Sequence, residues 1–273
     1  NHIENGHFTL NGKQYDLPQN NLGHSLHGGK KGFDKRLWQA QSFTTQDSAG
    51  VVLSYTSPDG EEGYPGKLSC RVRYALYPDN ALHISYWATT TKPTILNLTN
   101  HSYFNLKDAG ASKITDHVLQ INANRYTPVD STLIPTGRLE KVAGTPFDFR
   151  EPTPIGERIN QKHPQLQYAN GYDHNFVLNK TSGKPALAAR VHEPTSGRVL
   201  EVFTTEPGMQ FYSGNFLDGS YTGKHDINYE FRSGFCLETQ HFPNSPNEPD
   251  FPSVVLEPTD TFRSKTIYRF RAK

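Results

Sequence analysis

Short segments in which apolar and polar residues alternate recur along this chain. The clearest are residues 68–74, 82–86, 119–121 and 268–270, where every second residue is apolar or aromatic. A period of two is typical of a β-strand with one buried face. No segment keeps an apolar period of 3.6 residues, and Pro154–Ile159 favours a short helical turn at most.

Turn residues separate these segments at fairly even spacing. The 22 glycines and 19 prolines are spread over the whole length, with no internal repeat and no low-complexity tract. Many short strands punctuated in this way predict an all-β protein, either a sandwich or a barrel. We expect one domain over residues 1–273.

Composition excludes several classes of partner. Lys and Arg number 28 against 27 Asp and Glu, so the net charge of +1 predicts neither nucleic acid nor an anionic membrane as a partner. No apolar run approaches the ~20 residues that span a bilayer. The two cysteines, Cys70 and Cys236, do not form a disulfide framework, and a reduced, cytoplasmic setting is expected.

The segment Asn97–Leu106 has the most unusual mixture of side chains. It combines one histidine, three asparagines, two hydroxyls and two aromatic rings in ten residues. Amide groups both donate and accept hydrogen bonds, and aromatic faces stack on sugar rings, so the mixture suits a ligand rich in hydroxyls. His101 at its centre can exchange protons near neutral pH. A strand at a loop edge, with asparagines that satisfy the turn backbone, explains the segment equally well.

Two other clusters have weaker signals. His27 stands beside paired glycines in Ser25–Gly29, which allow close approach of backbone to a ligand, although an ordinary turn would look the same. Asp173 and His174 are adjacent, so on a strand they would point to opposite faces and only one could face a given site. A surface loop remains the alternative there.

The segment Gly234–Gln240 contains the best candidate carboxylate. Phe235 and Leu237 would share one strand face, and Cys236 and Glu238 the other. Partial desolvation would raise the pKa of Glu238, as in many catalytic bases. Glu238 could instead lie at a strand end and point to water.

Familiar cofactor motifs are absent from the sequence. The 12 histidines include no His-x-x-x-His pair on a predicted helix, and there is no Cys-x-x-Cys. A phosphate-binding glycine loop and a Gly-x-Ser-x-Gly elbow are also missing. We therefore expect no metal, no nucleotide and no other cofactor.

The clusters together closely resemble the aldose 1-epimerase (galactose mutarotase) family. The matching segments cover the whole chain in the order of the family: Ser25–Gly29, Gly32–Lys35, Ser57–Gly66, Asn97–Leu106, Tyr126–Asp130, Gly171–Phe176, Gly208–Phe211, Leu237–Gln240 and Pro243–Asn247. The resemblance implies a large sandwich of mostly antiparallel strands. It also implies interconversion of the α and β anomers of free aldoses, such as galactose and glucose.

The resemblance assigns roles to particular residues. Glu238 is similar to the family's general base and His101 to its general acid. The residues implied to bind sugar are Asn1, His2, His27, Tyr103, Asp173 and Gln210. Reference pKa values of about 4.3 for Glu and about 6.5 for His allow an ionised base and a protonated acid at one pH.

Two departures from the family pattern concern the start of the chain. The family's Asn-Arg-Ile segment corresponds to Asn1-His2-Ile3, so a histidine replaces a guanidinium with five donors. Family members also carry strands before this point, and the expectation is a chain that lacks those strands. A weakened or inactive sugar-binding sandwich is therefore the alternative function.

Other enzyme and binding classes make different demands on the sequence. A carbohydrate-binding module would not need both Glu238 and His101, and a glycoside hydrolase would need a carboxylate pair such as Asp173 with Glu238. A phosphosugar epimerase should show a basic cluster, and none surrounds the motifs. We expect a monosaccharide substrate and a monomer or weak dimer.

Overall fold

β-Strands dominate the computed structural model, which describes residues 1–179 and 183–272. In chain order the strands are β1 His7–Leu10, β2 Lys13–Asp16, β3 Gln39–Thr44, β4 Ala49–Ser57, β5 Leu68–Leu76, β6 Ala81–Thr90, β7 Thr94–Ile95, β8 Tyr103–Phe104, β9 Val118–Ile121, β10 Ala123–Tyr126, β11 Glu140–Lys141, β12 Thr153–Pro154, β13 Asp173–Leu178, β14 Ala186–His192, β15 Arg198–Thr204, β16 Gly208–Tyr212, β17 Phe235–Gln240, β18 Val255–Leu256 and β19 Phe262–Ala272. The all-β prediction is confirmed.

One short α-helix, α1 (Pro164–Ala169), occurs in the described ranges and was not predicted. The ring of His163 caps it by accepting a hydrogen bond from the Gln165 amide, and Asn170 ends it in a left-handed conformation. Six residues are too few to establish an apolar period, which is why the sequence pattern missed it. The turn expected within Pro154–Ile159 is a 3-10 turn at Ile155–Glu157. None of the helices in the described residues has the length and apolar character needed to cross a membrane.

The described residues group into two compact units. The first comprises Asn1–Leu98 and His241–Thr266. In it β3, β4, β5 and β6 pair antiparallel in that order, while β1 pairs with β2 and β7 with β18. A core cluster of this unit consists of Ile3, Phe8, Leu10, Leu17, Ile95 and Val254. The prediction of a single domain is not tested by this grouping and stays a prediction.

The second unit comprises Thr99–Gln240 and the chain from Ile267 onward, so the division falls within β19. It contains a six-stranded antiparallel sheet in the order β11, β10, β13, β16, β17 and β8. It also contains the antiparallel strands β12, β9, β14 and β15, paired in that order.

The two faces of the six-stranded sheet differ in chemistry. One face is apolar and packs into the core of the unit, with Phe104, Phe176, Met209, Phe211, Phe235 and Leu237 as its members. The Tyr268 hydroxyl donates a 3.1 Å hydrogen bond to the Leu237 carbonyl. Since side chains alternate along each strand, the opposite face carries Asp173 and Asn175 of β13, Gln210 of β16, and Cys236 and Glu238 of β17.

Replacing Phe211 tests how much the apolar face contributes to stability. Its ring is fully buried and lies 5.3 Å from that of Tyr172 and 5.8 Å from that of Phe149, measured between centroids. We expect Phe211→Ala to lower the free energy of unfolding by about 3–5 kcal/mol in urea titrations, because it leaves a cavity. Tyr221→Ala, at an exposed aromatic of the same unit, should change it by no more than about 0.5 kcal/mol. Equal losses in both variants would contradict this account of the core.

Candidate active site

The strand register places the candidate residues of the second unit side by side. Along one row across the polar face, Tyr103, Cys236, Tyr212 and Asp173 follow one another on β8, β17, β16 and β13. In the next row Glu238 pairs with Gln210. Residues two apart on a strand share a face, so both rows project to the same side of the sheet.

His101 and Glu238 form a close pair. The Nε2 atom of His101 lies 3.5 Å from Oε1 of Glu238. About a third of the His101 side chain is exposed, whereas Glu238 is 4% exposed. The structure therefore brings together the two residues that the sequence assigned to proton transfer, one facing solvent and one buried.

Burial changes the proton affinity of both groups. Loss of hydration raises the pKa of Glu238 to about 8 from an ordinary value of 4.5. Burial also lowers the pKa of His101 below its ordinary value of 6.5. The sequence correctly predicted a raised pKa for the carboxyl. It did not predict that the order of the two values would be reversed relative to the reference groups.

Asp173 and Gln210 form a second polar pair beside the first. The Gln210 side-chain amide donates a 2.7 Å hydrogen bond to Oδ1 of Asp173. Desolvation, assisted by the nearby charge of Glu238, raises the pKa of Asp173 to about 7 although the residue keeps some exposed surface. Asp173 is therefore a carboxyl that binds a proton much more readily than an exposed aspartate does.

The start of β13 needs a glycine. Gly171 has φ +143°, and a Cβ there would lie 2.3 Å from Oδ1 of Asn215.

The side chains of Asp173 and His174 point to opposite sides of β13. Asp173 contacts Gln210, while the His174 ring packs against that of Phe147 with centroids 4.5 Å apart. The predicted opposition of Asp173 and His174 is confirmed, and the surface-loop alternative is wrong.

Aromatic rings surround His101. Tyr103 stacks on the imidazole with centroids 5.3 Å apart, and Tyr212 approaches edge-on at 6.4 Å. Tyr103 is half exposed, so one ring face is available to a ligand. Tyr212 was missed in the sequence, although it lies two residues after Gln210 and therefore on the same strand face.

Cys236 adds a thiol to the same neighbourhood. Its Sγ atom, a ring nitrogen of His101 and a carboxylate oxygen of Glu238 all lie within 4.8 Å of one another. Burial raises the pKa of this thiol well above its ordinary value. These three side chains offer the donor types found in zinc sites, whereas acid–base chemistry needs only two of them.

The other three predicted sugar-binding residues, Asn1, His2 and His27, lie in the first unit. The buried His2 has its Nδ1 atom 2.9 Å from Oδ1 of Asn1, and its carbonyl accepts a 2.8 Å hydrogen bond from the Asn244 amide. His27 is exposed and has a left-handed backbone with φ +55°. Their roles toward a sugar stay predictions.

Comparison with known proteins identifies relatives along nearly the whole chain. A family model described as aldose 1-epimerase matches residues 1–269. Galactose mutarotase of Rattus norvegicus is 49% identical over 270 residues, which are 99% of this chain and 76% of that protein. Aldose 1-epimerase of Escherichia coli (strain K12) is 40% identical over 275 residues, covering 100% of this chain and 78% of the relative.

Solved structures agree on the fold. A GalM/aldose epimerase homologue from C. elegans matches with a TM-score of 0.89 at 30% identity, over 100% of this chain and 80% of that one. Galactose 1-epimerase from Lactobacillus acidophilus matches with a TM-score of 0.87 at 31% identity, over 99% and 77%. The predicted galactose mutarotase-like fold, with large antiparallel sheets, is confirmed. By the family match over residues 1–269 and by these identities, this chain belongs to the aldose 1-epimerase family.

Proposed function

We propose that this protein interconverts the α and β anomers of free aldoses, including galactose and glucose, by opening and reclosing the sugar ring. The observation that carries the proposal is the 3.5 Å contact between His101 Nε2 and Glu238 Oε1 on a buried polar sheet face. A proton acceptor and a proton donor at that separation suit two oxygens bonded to the same carbon, as in a hemiacetal.

Ring opening moves two protons in concert. Glu238 takes the proton of the anomeric hydroxyl, and His101 gives a proton to the ring oxygen as the bond between C1 and that oxygen breaks. The open aldehyde turns about its C1–C2 bond, and the ring closes on the other face of the carbonyl with the two residues in reversed roles. No electrons or groups leave the sugar, so this chemistry requires no cofactor.

For the pH range of activity, the number of protons that the pair holds matters more than which of the two residues holds them. Burial favours a protonated Glu238 beside a neutral His101, given the directions of their pKa values. The form with a carboxylate and an imidazolium contains the same single proton. The carboxylate–imidazolium form is the one that carries out the ring opening described above, and its share of the pair does not change with pH as long as the pair holds one proton.

Sugar binding is the proposed role of the neighbouring side chains. Asp173 and Gln210 hold each other in place through their 2.7 Å hydrogen bond and present an acceptor and an amide to hydroxyls. The exposed face of Tyr103 suits stacking on the apolar face of a pyranose. Positioning by such groups adds to the acid–base contribution.

We also propose a cytoplasmic setting and a monomer or weak dimer. One observation supports the cytoplasmic setting: both Cys70 and Cys236 are free, as expected of a protein kept in reducing conditions. The balanced charge gives no reason to propose a nucleic acid or an anionic surface as a partner.

Removal of either member of the pair should abolish most catalysis. We expect Glu238→Gln and His101→Asn each to lower the turnover of fresh α-galactose by about 10²–10⁴-fold in polarimetry, because each removes one proton-transfer step. Glu151→Gln and His225→Asn, at exposed positions, are matched controls that should keep the parental rate. If an anomer mixture formed as fast with Glu238→Gln as with the parent, the proposed pair would be wrong. A pure sugar-binding protein would not speed equilibration in any variant.

The rate should depend on pH in a bell shape. Below the lowered pKa of His101, which lies under 6.5, the pair gains a second proton and lacks a base. Above the raised pKa of Glu238, about 8, it loses its remaining proton and lacks an acid. We expect kcat/KM, measured with a metal chelator between about pH 5 and 10, to be highest between these limits.

Asp173 is the control for this profile, because its pKa of about 7 falls within the active range. Asp173→Asn should keep both the acidic and the basic limb of the pH profile. A feature of the profile that disappears in this variant is therefore due to the titration of Asp173. A profile that stays level from about pH 5 to 10 would show that the pair does not limit the reaction.

A further inference from the structure

Three different donor atoms converge beside the proposed proton-transfer pair. A ring nitrogen of His101, Sγ of Cys236 and a carboxylate oxygen of Glu238 lie within 4.8 Å of one another. We propose that these side chains form a site for a thiophilic divalent cation, with zinc as the best match, and that zinc bound there blocks the sugar site. The blocking effect rests on the proposed function, whereas the binding of the metal does not.

The backbone already holds these donors on one side of the sheet. Cys236 and Glu238 are two residues apart on β17 and share a face. Cys236 pairs with Tyr103 on β8, and His101 lies two residues before Tyr103 in the chain. The strand β17 fixes Cys236 and Glu238 relative to each other, and the segment before β8 already holds the His101 ring 3.5 Å from Glu238, so an incoming cation would find the three donors close together.

The distances suit tetrahedral zinc after a small adjustment. Zinc bonds to nitrogen, oxygen and sulfur of about 2.0–2.3 Å space the ligand atoms roughly 3.4–3.6 Å apart. His101 Nε2 and Glu238 Oε1, at 3.5 Å, already have that spacing. Sγ of Cys236, which lies within 4.8 Å of the other two atoms, must approach by at most about 1.4 Å, which a rotation about its single χ1 bond supplies.

The charges balance around a divalent cation. A thiolate and a carboxylate together carry two negative charges, and the imidazole binds as a neutral ligand. Binding displaces two protons into solvent, that of the Cys236 thiol and the single proton held by the His101–Glu238 pair, and no oxidation or reduction takes place. In the low-dielectric surroundings of Cys236 and Glu238, the cation compensates two charges that would otherwise be costly to bury.

Access and a fourth ligand are both available. The His101 side chain is a third exposed, so a cation can reach it from solvent. Water would take the remaining tetrahedral position. Because the cation would occupy His101 and Glu238, it would compete with the sugar for the same two groups.

Cobalt(II) is the probe for the site, since it substitutes for zinc and reports its ligands by absorption. In protein freed of metals by a chelator, we expect added Co²⁺ to give a thiolate-to-cobalt charge-transfer band in the near ultraviolet. Zinc should remove that band by displacement, and saturating galactose should weaken it. Zinc should also raise the KM for galactose without lowering kcat. The cobalt band is measured without turnover, so it stands even if mutarotation fails.

Cys236→Ser and Cys70→Ser are the matched variants, because both replace a buried free cysteine. Cys236→Ser should lose the band and weaken zinc inhibition at least about tenfold relative to its own metal-free rate, since a hydroxyl is a poor zinc ligand. Cys70→Ser should keep both. Cys236→Ala serves if the serine variant fails to fold. A missing band in the parent, or zinc inhibition unchanged in the Cys236 variants, would overturn the site.

Discussion

The pairing register of β17 with its neighbours is the constraint on which the site depends. Gln210 lies opposite Glu238, and Tyr103 lies opposite Cys236, so the proposed base and the side chains proposed to bind sugar share one face. A slip of one residue would turn Glu238 into the apolar core and bring Leu237 to the polar face. The buried aromatic residues on the other side of the sheet make such a slip costly, so the packing of the core also fixes the geometry of the site.

The same packing determines the electrostatics. Glu238 lies on a strand whose six residues are all buried, and its raised pKa follows from lost hydration. The pKa of Asp173 is also raised, mainly by lost hydration and in part by the neighbouring carboxyl of Glu238. Two carboxyls with a proton affinity near that of an imidazole are what proton exchange at neutral pH requires, and burial of both side chains produces them.

Much of this arrangement was accessible from the sequence, and the remainder depended on contacts between distant segments. The mixture around His101 and the alternation around Glu238 identified both residues, and alternation also separated Asp173 from His174 correctly. The contact between Asp173 and Gln210 joins residues 37 positions apart, so no local pattern shows it. Tyr212 was overlooked although alternation from Gln210 places it. The order of the pKa values of His101 and Glu238 depends on how deeply each side chain is buried, and reference pKa values take no account of burial.

His101 and Glu238 are held by backbone of different kinds. Glu238 sits in β17, which pairs with β16 from Cys236 to Gln240. By contrast, Thr99–Ser102 has no regular structure and is held near Glu238 by the Thr99 hydroxyl, which donates to the Thr239 carbonyl. Amide hydrogens of β17 should therefore exchange with solvent only when the sheet opens, while those around His101 exchange through local fluctuations. Of the two side chains, the His101 imidazole is thus the one that can adjust its position, while the Glu238 carboxyl stays in place.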